Sequence, residues 1–107
     1  MSTPLRLLVV EDVPADAEVM VHELRRAGFD PEWRRVDTEH DLLAHLDPSL
    51  EIILADFRLP GFDALRILQL VQEAGIEVPV VIVSGTIGDE LAVDLLKKGA
   101  EIGRAHV

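Results

Sequence analysis

Apolar and polar positions in this chain follow two rhythms. Three short runs are almost continuously apolar: Leu5-Arg6-Leu7-Leu8-Val9-Val10, Leu50-Glu51-Ile52-Ile53-Leu54-Ala55 and Val78-Pro79-Val80-Val81-Ile82-Val83. Such runs mark strands buried on both faces, the habit of parallel sheets covered by helices on each side. Between them, apolar residues recur at helical spacing. Ala17, Val21, Leu24 and Ala27 form one stripe. It opens at Pro14, whose fixed φ suits a first turn, and closes with Arg25, Arg26 and Gly28. Thr38-Glu39-His40-Asp41 has the form of a capping box and predicts a short helix through Leu42, Leu43 and Leu46, stopped by Asp47-Pro48-Ser49. Asp63 is an N-cap for a helix turning Leu65, Leu68 and Val71 inward and ending near Gly75. Gly88-Asp89-Glu90 opens a last helix, with Ala92, Leu95 and Leu96 apolar and Lys97 and Lys98 before Gly99. The stretch 29–36, Phe-Asp-Pro-Glu-Trp-Arg-Arg-Val, is polar for a strand and suits a sheet edge, with Trp33 its main anchor. Strand and helix alternate throughout, which predicts an α/β fold: one doubly wound parallel sheet with helices on both faces.

The apolar runs end in chemistry. The first stops at Glu11-Asp12, the second at Asp56 before Phe57-Arg58-Leu59-Pro60-Gly61, and the third at Ser84-Gly85-Thr86. Alone, Asp56 could equally cap a turn. In a parallel sheet, however, these ends share one rim, where open α/β folds bind their ligands. Three carboxylates and a hydroxyl then converge, an arrangement that is costly unless a cation or protons offset the charge.

Charge and composition narrow the classes. A length of 107 residues gives one domain, and a formal net charge of −10 argues against direct nucleic-acid binding by this segment. The absence of cysteine excludes disulfides and thiolate metal sites. No apolar stretch reaches membrane-spanning length, and Met1-Ser2-Thr3-Pro4 has no signal-peptide character, so a cytoplasmic location is expected. The four histidines, His22, His40, His45 and His106, lack metal-ligand spacing and read as helix-surface or tail residues. Neither a Gly-Lys-Ser/Thr phosphate loop nor a dinucleotide glycine pattern is present.

With Glu11-Asp12, Asp56, Leu59-Pro60-Gly61-Phe62-Asp63 and Ser84-Gly85-Thr86 in this order, the chain resembles a response-regulator receiver domain of two-component signalling, from about Leu5 to Ala100. The resemblance implies a flavodoxin-like fold of strand order 2-1-3-4-5 and a bacterial signalling module rather than an enzyme. Such a domain assists only its own phosphotransfer and dephosphorylation. The implied partner is a sensor histidine kinase or a histidine phosphotransfer protein. Asp56 matches the phosphoacceptor. Glu11 and Asp12, with Asp56 and the backbone carbonyl of Arg58, match the ligands of Mg²⁺. Ser84 matches the hydroxyl that bonds the phosphoryl group. Arg58 and Thr86 occupy positions that influence how long the phosphoryl group survives, although Arg58 also reads as a loop-solvating residue. A haloacid-dehalogenase reading fails, because Pro14 stands where that class needs a second aspartate after Asp12.

The sequence also departs from the family pattern. After Gly99-Ala100 it supplies neither the fifth strand, which ends in the site lysine, nor the fifth helix. Lys97 and Lys98 fall in the preceding helix and do not replace that lysine. The expectation is therefore order 2-1-3-4, an incomplete receiver over 1–100, and a non-native, adapter-like tail over 101–107 (Glu101 to Val107). Val78–Val83 is then an apolar edge, and a homodimer is expected only of the complete domain. The alternative function is a pseudo-receiver, an interaction module that is not phosphorylated because the lysine is missing.

Overall fold

The computed structural model describes residues 2–56 and 64–83. Strand β1 (Thr3–Val10) is followed by helix α1 (Pro14–Arg26), β2 (Phe29–Val36), α2 (Glu39–His45), β3 (Ile52–Asp56), α3 (Ala64–Glu73) and β4 (Val80–Val83). The four strands are all parallel and lie in the order β2-β1-β3-β4. The expected α/β sheet and its order are both present. The Pro60-Gly61 turn, the Asp63 cap, the helix from Gly88, Lys97 and Lys98, and the tail from Glu101 lie outside the described residues.

Side chains alternate across the strands, and each face carries its own core. Leu5, Leu7 and Val9 of β1 and Ile52 and Leu54 of β3 pack with Ala17, Met20, Val21 and Leu24 of α1. On the opposite face, Leu8, Val10, Ile53 and Ala55 pack with Leu42 of α2 and Ile67, Leu70 and Val71 of α3. The central strands are buried on both sides, which is why their sequences run apolar without alternation.

The edge reading of 29–36 holds among the described residues, where β2 pairs with β1 and no other strand. Its anchors differ from expectation: Pro31 and Val36 are fully buried, while Trp33 is half-buried against the α1-side core. Strand β1 begins at Thr3, earlier than the apolar run suggested. Its first bond is from the Thr3 N–H to the Gly28 carbonyl, 2.9 Å. Gly28 closes α1 at φ +96°, a conformation that strains any other L-residue, and its N–H donates to the Arg25 carbonyl at 3.1 Å. Strand β4 begins at Val80, not Val78. Pro79 lacks an N–H, yet its carbonyl accepts from the Ile53 N–H at 3.0 Å.

Two helices place their faces differently from the sequence reading. The Thr38 cap on α2 forms, with its Oγ1 accepting from the Asp41 N–H at 3.1 Å, but only Leu42 is buried. Leu43 points to solvent and Leu46 is the half-buried C-cap. In α3 the inward stripe is Ile67, Leu70 and Val71. Leu65 and Leu68 are 64 % and 39 % exposed. Apolar residues at 64, 65, 67, 68, 70 and 71 form one broad side of this helix, so periodicity leaves open which flank of it is buried. Arg66 reaches Glu39 of α2 at 2.8 Å, and this exposed pair adds little to stability. We expect Ile67→Ala to cost about 2–4 kcal/mol in urea denaturation and Leu68→Ala less than about 1 kcal/mol; equal losses would contradict this orientation of α3.

Candidate functional site

At the carboxyl rim of the sheet, β1 and β3 run side by side with Val10 opposite Ala55. The next residues along each strand, Glu11 and Asp56, are therefore neighbours. Glu11, Asp12 and Asp56 each present a carboxylate oxygen within 4.8 Å of the others. Their surroundings differ: Glu11 is 1 % exposed, Asp56 is half-buried and Asp12 lies at the surface.

Glu11 continues the β1–β2 ladder past Val10, its N–H donating to the Val36 carbonyl at 3.0 Å. Its Oε1 accepts from the Val13 N–H at 3.0 Å, which turns the chain toward α1. The Glu11 carbonyl accepts from Nη1 of Arg35 at 3.1 Å, and the same nitrogen lies 3.3 Å from Oδ2 of Asp37. The opening of α1 is bound by backbone alone: Val13 is its N-cap without a side-chain cap, and its carbonyl accepts from Asp16 and Ala17.

This arrangement makes Glu11 a poor carboxylate by itself. Burial pushes its acid up to about 7, from an ordinary 4.5. Hydrogen bonding to Asp12 and Asp56 and the charge of Asp56 add to the rise, and the Val13 N–H opposes it. Proton or cation is needed to balance the cluster. A set of carboxylate oxygens at one solvent-open rim suits a hard divalent cation that prefers oxygen ligands and keeps several waters, as Mg²⁺ does.

The structure thus brings together three of the residues singled out from sequence: Glu11, Asp12 and Asp56. Arg58, Ser84 and Thr86 lie outside the described residues. Among the described histidines, His22 and His40 are exposed, and Nδ1 of half-buried His45 lies 2.8 Å from the Asp41 carbonyl one turn earlier in α2. None of these joins the acidic cluster. Arg35 is a site-side residue that the polar edge character of 29–36 does not reveal. Its nearness to Glu11 follows from the β1–β2 register, with Arg35 opposite Val9, and no local signal carries it.

Over residues 7–102 the chain matches the response regulator receiver domain family, and it belongs to that family. A response regulator receiver domain protein from Bacillus halodurans superposes with a TM-score of 0.70 at 17 % identity, covering 90 % of this chain and 97 % of the other. A response regulator from Hahella chejuensis gives 0.63 at 25 % identity, covering 88 % and 74 %. A signal receiver domain from Vibrio parahaemolyticus gives 0.62 at 26 % identity, covering 92 % and 75 %. No curated protein matches the chain. The family is one of signalling domains rather than enzymes in the ordinary sense, and its members bind Mg²⁺ at an acidic site. Among the described residues, no helix is long and apolar enough to cross a membrane.

The buried acid has a consequence for stability in the absence of divalent cations. The folded-state pKa of Glu11 is raised, so between pH 4.5 and about 7 the folded protein keeps a proton that the unfolded chain releases. The contribution of Glu11 is therefore most favourable below pH 4.5 and is lost as pH rises through 7. We expect the urea midpoint in EDTA to carry a component that falls across this window, and Glu11→Gln to remove it. An identical pH dependence in wild type and Glu11→Gln would contradict it.

Proposed function

We propose that this chain is a phosphoacceptor module of a two-component phosphorelay, with Asp56 accepting a phosphoryl group from a sensor histidine kinase or a histidine phosphotransfer protein. The observation that carries this reading is the convergence of the Glu11, Asp12 and Asp56 carboxylates at one rim of the sheet. An oxygen of Asp56 attacks the phosphorus of the partner's phosphohistidine. The phosphorus–nitrogen bond breaks, the imidazole leaves as a neutral ring with the electron pair of that bond and the proton already on its other nitrogen, and Asp56 becomes an acyl phosphate, a labile link suited to a transient signal. Half-burial of Asp56 at the end of β3 leaves its carboxylate reachable from the rim while its backbone stays fixed in the sheet.

Glu11, Asp12 and Asp56, with the backbone carbonyl of Arg58, would hold Mg²⁺, which would supply the positive charge that offsets repulsion between the acceptor and the phosphoryl group. Ser84 hydrogen-bonds the transferred group, and its inward movement shifts a two-state equilibrium in the segment that follows β4. Arg58 and Thr86 set the lifetime of the acyl phosphate. The domain acts in the cytoplasm and recognises protein partners, not nucleic acid, in keeping with its net charge of −10. The clustered, partly buried acids support this reading over that of a pseudo-receiver, which has no use for such a cluster.

Acetyl phosphate with Mg²⁺ should add one phosphoryl group to the protein by intact mass spectrometry, and Asp56→Asn should abolish the addition. EDTA should reduce it severely. A wild-type chain that takes up no label, or a label that persists in Asp56→Asn, would refute the proposal.

A further inference from the structure

Arg35 stands outside the three acids, yet its guanidinium donates to the loop that carries two of them. Its Nη1 donates to the Glu11 carbonyl at 3.1 Å and lies 3.3 Å from the Asp37 carboxylate. The Glu11 carbonyl belongs to the planar peptide joining Glu11 to Asp12. Fixing that plane sets the direction in which the chain leaves Glu11, and so where the Asp12 carboxylate stands. The N–H side of Glu11 is already held by the Val36 carbonyl, and its Oε1 by the Val13 N–H. Arg35 supplies the remaining hold, from β2, an element that contributes no acid to the cluster. Asp37, just beyond the end of β2, lies within ion-pair reach of the same guanidinium and steadies it.

We infer that Arg35 is a positioning residue for the acidic site: by holding the Glu11–Asp12 peptide from the edge strand it places the Asp12 carboxylate for metal binding. This rests on the metal-binding phosphoacceptor reading of the three acids. The sign of the effect distinguishes positioning from charge. A guanidinium near a cation site repels the cation, so charge alone predicts tighter Mg²⁺ binding once Arg35 is removed. Positioning predicts weaker binding, as for other outer groups that orient metal ligands.

The test uses the full chain and two readouts. Mg²⁺ affinity is measured by titration calorimetry at fixed pH and ionic strength for wild type, Arg35→Met and Arg35→Lys. Arg35→Met keeps the aliphatic stem, so the edge strand retains its packing; the Lys variant keeps one donor. We expect Arg35→Met to bind Mg²⁺ about tenfold more weakly and Arg35→Lys to recover most of that loss. The second readout is amide hydrogen exchange in EDTA. In Arg35→Met the Val13 amide should exchange faster, while Val21 and Leu24 inside α1 keep their wild-type rates. Unchanged or tighter Mg²⁺ binding in Arg35→Met, or no recovery in Arg35→Lys, overturns the assignment. If wild type itself binds no Mg²⁺, the site reading fails. The exchange data then decide the role of Arg35 alone, and an unchanged Val13 rate overturns it. A general rise in exchange through α1 likewise overturns it, because that would mark ordinary destabilisation.

Discussion

Like charges held together at the end of a buried sheet are the constraint on which this structure turns. The register Val10 opposite Ala55 puts Glu11 beside Asp56, and the turn into α1 adds Asp12. Nothing about an isolated acidic loop would bring about this proximity. It results from two apolar strands, each buried on both faces, being locked side by side by their cores. The hydrophobic effect thus sets how close the Glu11 and Asp56 backbones lie, whereas the exposed Asp12 carboxylate depends on the loop that carries it. Burial first, and the neighbouring acids after it, favour a proton on Glu11 unless a cation balances the cluster.

The central architecture was legible because burial on both faces leaves a plain mark. Leu5–Val10 and Ile52–Ala55 read as continuous apolar runs, and the polar stretch 29–36 read as an edge; both readings match the strand order. The Thr38 cap and the Gly28 stop were equally readable, since each rests on a short-range requirement of the backbone. Helix faces were harder. In α1 a narrow stripe fixed the buried side, with Met20 joining it, whereas the apolar side of α3 is broad enough to be buried along either flank. Its orientation toward Ile67 is decided by the sheet surface against which Ile67, Leu70 and Val71 pack, which is not visible in the helix itself.

The site divides in the same way. Acids at strand ends are local signals, so Glu11, Asp12 and Asp56 could be picked out from position alone. The groups that orient them are not local. Arg35 lies 24 positions from the carbonyl it holds, in a strand whose composition is explained well enough by its edge position. Two explanations for one arginine coexist, and only register separates them. An edge arginine usually interrupts pairing with other chains; this one also turns back toward the rim.

That geometry gives the edge strand a second task. In a doubly wound sheet the carboxyl rim is assembled from loops that leave different strands, and each loop has freedom of its own. The β1–α1 loop is short, and inside it the Glu11 side chain holds the Val13 N–H, but no group of the loop itself is seen holding the Glu11 carbonyl. Strand β2 is the nearest rigid element that is not itself part of the acidic cluster. A hydrogen bond from β2 can restrain the loop without adding a fourth carboxylate to an already crowded rim. A neutral donor would restrain it too, but a guanidinium reaches two acceptors with one planar group and stays charged at every relevant pH.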